Sequence, residues 1–154
     1  MITACRIVKA KHAETAFDGE SARLLGGRWN SAGQSVVYAA ESAALAALEM
    51  LVRLRRGDVL PAYVWIACSF ERSLVSRLDP SRLPSKWRSS PAPRQLQAIG
   101  DAWLQRSTSA VLEVPSAIIP MELNYLLNPR HSDFTSIRVS DPKPFDFDLR
   151  LLRR

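Results

Sequence analysis

The stretch AALAALEMLV, Ala43 to Val52, is made of strong helix formers and is apolar almost all the way round. A helix of that kind has much apolar surface to bury, so its packing constrains whatever fold the chain adopts. Ser42 supplies a side-chain cap at its start, and the periodicity carries the helix to about Arg55, closed by Gly57. Inside this apolar run stands one carboxylate, Glu49, on the rim of the apolar face between Leu45 and Val52 on one side and Ser42 and Arg53 on the other. Two readings are open from spacing alone. Glu49 forms a surface pair with Arg53 four residues on, worth about 0.2–0.5 kcal/mol, or it is buried, in which case it has to be paired or to face a polar cleft.

A chain of 154 residues is long enough for one core and short for two, so residues 1–154 are read as a single domain. Neither the opening MITACRIVKA nor the 43–52 run offers a signal peptide or the ~20 apolar residues of a membrane span. A cytoplasmic location is the expectation. Cys5 and Cys68 have no CxxC spacing and His12 and His131 have no partner at metal-ligand spacing, so no metal is expected. Cys68, in an apolar run, reads as a small buried hydrophobe. The net charge of +6 favours anionic partners, but the basic residues are scattered rather than aligned in a phosphate-tracking stripe.

Along the chain, residues 1–25 read as an irregular or short-stranded entry. RWN and SVVYA read as strands of a hairpin joined through SAGQ with Gly33 in the turn, which sets Arg28 with Asn30 on one side and Val36 with Tyr38 on one side. AYVWIACSF (Ala62 to Phe70) reads as a buried strand, and RLDPSRLPSKWRSSPAP, with four of the ten prolines, as a long connection of the kind that serves as a lid or a partner contact. RQLQAIGDAWLQR carries Leu96, Ile99, Trp103 and Leu104 at helical spacing. SAVLEVPSAIIP reads as two strand pieces broken at Pro115, MELNYLLNPRH as a helical turn ended at Asn128-Pro129, and TSIRVS and PFDFDLRL as closing strands. Short mixed strands with two helices indicate an α+β fold.

Taken singly, the polar residues are ambiguous. Arg28, beside Gly26 and Gly27, is either a solvated turn residue or a guanidinium fork presented to an anion. Tyr38 reads more readily as a core aromatic than as a stacking residue, and Ser116 as a strand-end serine. No GxSxG, HExxH or GxxxxGK[ST] pattern occurs.

Their order along the chain is more informative. AFDGESARLLGGRWNSAGQSVVYAAESAALAALEMLV, then VPSAIIPMELNYLLNPRHSDF, then PFDFDLRL resemble the RES domain family, named for an arginine, a glutamate and a serine. The resemblance covers nearly the whole chain, with Pro61 to Ser109 matching only in general character. The family's three residues fall on Arg28, Glu49 and Ser116, and its accompanying tyrosine and asparagine on Tyr38 and Asn124. The GES at Gly19 to Ser21 departs from the second glycine common in the family.

The resemblance implies an ADP-ribosyltransferase-like fold and a toxin that destroys NAD+ at the nicotinamide–ribose bond. Phosphorolysis comes first, with inorganic phosphate as co-substrate; hydrolysis or transfer to a protein acceptor uses the same cleavage. It implies no cofactor, with NAD+ the substrate, and a cognate antitoxin with an Xre-type helix-turn-helix domain that holds the toxin in a hetero-oligomeric complex. DNA contact would then belong to that partner. In this reading Glu49 stabilises a ribosyl cation, Arg28 holds the pyrophosphate or the attacking phosphate, Tyr38 stacks on nicotinamide, and Ser116 and Asn124 orient nicotinamide and ribose. His131 either reaches the site as a substrate-binding residue or braces its loop. The rival classes are a nucleic-acid-binding module, which predicts affinity falling steeply with salt, and a non-catalytic module whose basic surface docks an acidic partner.

Overall fold

The computed structural model describes residues 1–55, 57–58 and 60–153. Its frame is one sheet of eight strands: β1 (Ile2–Lys9), β2 (Val37–Ala40), β3 (Tyr63–Phe70), β4 (Val75–Arg77), β5 (Val111–Pro115), β6 (Leu123–Leu127), β7 (Arg138–Val139) and β8 (Lys143–Phe145). The spatial order is β4-β5-β6-β2-β1-β3-β7, with β8 also paired to β3. Every pairing is antiparallel except β4 with β5, whose parallel register is bridged by the α3 crossover. Among the described residues three α-helices accompany the sheet, α1 (Glu20–Leu25), α2 (Ala43–Leu51) and α3 (Arg94–Arg106). This is the expected α+β class.

Both faces of the sheet are covered. On the front face α2 packs over Cys5, Ile7, Ala40 and Tyr63, while α3 packs over Leu112, Val114 and Leu126 through Leu96 and Trp103. The back face holds Val37, Ala39, Phe70, Tyr125 and Leu127 under the chain around Phe134 and Ile137. The front face therefore has two separate apolar centres, and the middle of the sheet, β2 and β6, lies between them. Tyr38, Ala40 and Asn124 fall there by strand alternation, because Ala40 is opposite Asn124 and Tyr38 opposite Leu126.

Several elements follow the sequence closely. Ser42 caps α2, accepting the Leu45 N–H at 3.1 Å; Ala62 to Phe70 yields β3, with Cys68 buried; Arg94 to Arg106 is one helix; and the proline-rich segment beyond β4 holds no strand or α-helix, only a 3-10 turn at Pro80–Arg82 and a hydrogen-bonded turn over residues 84–89. Others are corrected. The entry holds β1, eight residues in the middle of the sheet between β2 and β3. RWN is no strand: Gly27 and Asn30 pair across a tight turn, and β2 pairs with β1 and β6 instead, although Gly33 does take a positive φ of 101°. SAVLEVPSAIIP contributes one strand, not two, and LNYLL is β6, a central strand rather than a helical turn. PFDFDLRL gives the short β8 and then a 3-10 turn at Leu149–Leu152. α2 stops at Leu51, since Arg53 and Leu54 bond back three residues, to Met50 and Leu51, and tighten the last turn. Gly57 lies beyond it with φ 85°.

Candidate active site

Two groups of side chains meet on the front face. The first is built around the turn that carries Arg28. Gly27 donates to the Asn30 carbonyl at 2.9 Å, and the Trp29 ring and Asn30 are buried beneath. Asn30 spends its amide on the carbonyls of Ala22, Ser31 and Gln34 and accepts the Tyr38 hydroxyl on Oδ1 at 2.7 Å. The same hydroxyl accepts the Trp29 N–H at 3.0 Å. α3 closes the turn from above: Gln97 donates to the carbonyls of Gly27 and Asn30, and Asp101 accepts the Ser31 N–H.

Two glycines make this packing possible. A Cβ on Gly27 would stand 2.7 Å from the Tyr38 hydroxyl, and one on Gly100 would stand 1.7 Å from the Trp29 carbonyl oxygen. No side chain fits at either point. Burial pushes the Tyr38 hydroxyl above the usual phenol range; the Trp29 N–H and the charges of Arg53 and Arg28 oppose the shift, and Asp101 adds to it. The phenol thus stays protonated and keeps donating to Asn30. Arg28, projecting from this fixed turn, gives Nη1 to the carbonyls of Trp87 and Ser89, each at 2.9 Å. Its Nε and Nη2 make no hydrogen bond among the described residues.

The second group is built around Glu49. It stands one helical turn beyond the buried Leu45, half-buried, and its Oε1 accepts two hydrogen bonds: from Ser116 Oγ at 3.1 Å and from Asn124 Nδ2 at 2.9 Å. Of the two readings open from spacing, the structure takes the second. Glu49 pairs with no cation among the described residues, Arg53 included, and turns inward to neutral donors. Oε2 makes no hydrogen bond among the described residues. Ser116 is fully buried and fully committed, because its hydroxyl also accepts the N–H groups of Ile118 and Ile119 at 3.1 Å. The hydroxyl thus donates to Glu49 while its oxygen accepts from two backbone N–H groups. Asn124 is set by its place on β6 opposite Ala40.

The structure thus joins Glu49, Ser116 and Asn124 directly, and ties Arg28 to Tyr38 through the Gly27–Asn30 turn; Tyr38 and Asn124 share a face on neighbouring strands. His131 is not brought to either group. It lies beyond the opposite end of β6, where Nδ1 accepts the Asp133 N–H at 3.0 Å and caps the Ser132–Ser136 turn. The thiols are unreactive by position: burial raises Cys5 and pushes Cys68 up to about 12. Among the described residues no group of three His, Cys, Asp or Glu could hold a metal ion.

Sequence reasoning missed Gln97, Gly100 and Asp101, which pin the Arg28 turn, and Arg88, which donates to the carbonyls of Ala117 and Ile118. The available signal was Gly100 itself, since a glycine in the middle of a helix costs about 1 kcal/mol against alanine and points to close backbone approach.

A fold with this site defines the class. The RES domain model matches residues 3–148, and the chain belongs to the RES domain family. "Toxin Res" of Yersinia enterocolitica is 40% identical over 147 residues, covering 95% of this chain and 97% of that one. The "Prs ADP-ribosylating toxin" of Sphingobium sp. is 35% identical over 141 residues, covering 90% and 88%. Among solved structures, the M. tuberculosis MbcT-MbcA toxin-antitoxin complex contains a chain that superposes with a TM-score of 0.74 at 20% identity, covering 94% of this chain and 84% of that one. At that identity the likeness is one of fold alone. No described helix is long and apolar enough to cross a membrane.

Proposed function

We propose that the chain is the toxin of a toxin–antitoxin pair and that it depletes NAD+ by cleaving the nicotinamide–ribose bond, with inorganic phosphate as acceptor. One observation carries the reading: the Glu49 carboxylate is held on one oxygen by two uncharged donors and left open on the other. A carboxylate so held has a fixed direction and no cation paired against it among the described residues, which is what an oxocarbenium-like ribosyl cation requires.

In the proposed reaction the bond from ribose C1′ to the nicotinamide nitrogen breaks with its electron pair going to nitrogen, so the leaving group departs neutral and needs no general acid. Glu49 Oε2 faces the developing positive charge. A phosphate oxygen then bonds to C1′, giving nicotinamide and a phosphorylated ADP-ribose; water in its place gives ADP-ribose and a proton. Arg28 has Nε and Nη2 to offer the pyrophosphate or the attacking phosphate. The Tyr38 ring is half-buried at the same face and packs against nicotinamide, while its hydroxyl serves the turn. Ser116 and Asn124 act on Glu49 first and on the substrate only through it.

The name of the Sphingobium relative makes protein ADP-ribosylation the second reading, since it differs only in the acceptor. The partner proposed is an antitoxin of the Xre type, and the site of action the cytoplasm. The test is to incubate the chain, freed of any co-purified partner, with NAD+ in buffers with and without phosphate, following nicotinamide and the adenylate product beside a Glu49→Ala control. Release that depends on phosphate and on Glu49 is expected. Release without phosphate moves the assignment to a glycohydrolase, and no release in either buffer, with no labelled protein acceptor, removes the enzymatic reading.

A further inference from the structure

The proline-rich connection between β4 and α3 makes one contact that neither the family residues nor the roles above account for. Trp87 and Ser89 present their carbonyls to Arg28, and the residue between them, Arg88, points the other way. Its Nε donates to the Ala117 carbonyl at 2.9 Å and its Nη2 to the Ile118 carbonyl at 3.3 Å. Those two carbonyls belong to the turn whose Ile118 and Ile119 N–H groups hold the Ser116 hydroxyl. Three consecutive residues therefore bridge the two halves of the site, from the Arg28 turn to the Ser116 turn. The bridge is anchored by Trp87, which packs with Leu83 on the α3 core cluster.

From this geometry we infer that Arg88 is a positioning residue for Glu49: it fixes the 117–119 turn, which fixes the Ser116 hydroxyl, which fixes the carboxylate. A guanidinium suits the task because one planar group offers two N–H donors to two successive carbonyls. The inference rests on the proposed role of Glu49 for its effect on turnover, but the holding of the turn can be measured without any substrate.

The experiment compares wild type with Arg88→Met, which keeps the length of the side chain and removes its donors, and with Arg88→Lys, which restores a cation able to reach the carbonyls. Two readouts are taken: amide hydrogen exchange at Ile118 and Ile119, and kcat and KM for NAD+ in phosphate buffer. In Arg88→Met the two amides exchange about tenfold faster while those of β5 and β6 do not change. In the same variant kcat falls by about tenfold or more at nearly constant KM, as expected when a catalytic group is displaced and ground-state binding is kept. Arg88→Lys recovers most of both. Unchanged exchange at Ile118 and Ile119 overturns the inference whether or not NAD+ is cleaved, and so does faster exchange with unaltered kcat. A wild-type protein that never cleaves NAD+ counts against the proposed reaction alone, and exchange then decides the matter for Arg88.

Discussion

Glu49 and Glu113 lie on opposite sides of the sheet, and their charges are treated in opposite ways. Glu113 on β5 is 2% exposed and meets two cations, Arg72 Nη1 at 2.8 Å and Arg77 Nε at 2.8 Å, one on each oxygen. Glu49 on the front face is only half-buried, meets no cation among the described residues, and takes two hydrogen bonds on the same oxygen from uncharged groups. The first arrangement quenches a charge so that it can be buried; the second aims a charge and leaves it intact. Burial alone does not mark a functional carboxylate, since by that measure Glu113 would be chosen. The identity of the donors, and the oxygen left over, make the distinction.

The comparison can be broken at either end. The largest effect belongs to Glu49→Gln: with the fold unchanged by circular dichroism, NAD+ turnover should fall ~10²–10³-fold, the range for losing one preorganised electrostatic contact. Near-normal turnover would place the chemistry elsewhere. Next comes the Arg72→Met/Arg77→Met double variant, which strands the Glu113 carboxylate without a partner; its melting temperature should drop well below wild type, while the turnover of the molecules still folded is unaffected. Asn124→Ala should be milder, about tenfold in kcat, because Ser116 still holds the same carboxylate oxygen. The smallest effect is expected for Glu113→Met, since replacing a buried ion pair by an apolar residue of similar volume is often neutral or stabilising. A folded Glu113→Met protein without turnover would overturn the contrast.

What could be read in advance follows the same division between local and long-range causes. α2 was legible because its cap, its propensity and its apolar surface all agree, α3 because its helical periodicity is unambiguous, and β3 because its run is rich in β-branched and aromatic residues. β6 was not. LNYLL buries Tyr125, Leu126 and Leu127 in succession, as a strand covered on both faces must, and so short an apolar run carries no period to tell it from a helix. β1 failed for a related reason: Arg6, sitting among buried neighbours, breaks the pattern. Its guanidinium turns aside to the Tyr38 carbonyl and lies 5.8 Å from the Phe17 ring; burial, with Arg53 nearby, lowers it to about 10, still charged at neutral pH. The RWN strand was lost to a turn held in part by hydrogen bonds with α3, some seventy residues away in sequence, and no local signal reports those. The residues around the candidate site were found through the family pattern; the hydrogen bonds that join Glu49 to Ser116 and Asn124, from 67 and 75 residues away, were beyond any local reading.

The placement of β1 in the middle of the sheet also bears on when the chain acquires its site. Synthesis runs from the N-terminus and domains assemble as they emerge. β1, β2 and β3 are neighbours in the sheet and come out of the ribosome together with α2, so Glu49 is present early. Its donors are not: Ser116 and Asn124 arrive with β5 and β6, which complete the other half of the sheet. A nascent chain short of residue 124 carries an unaimed carboxylate. Assembly of the site is thus tied to the synthesis of β6, and a truncated product that stops before β6 has the glutamate without the geometry.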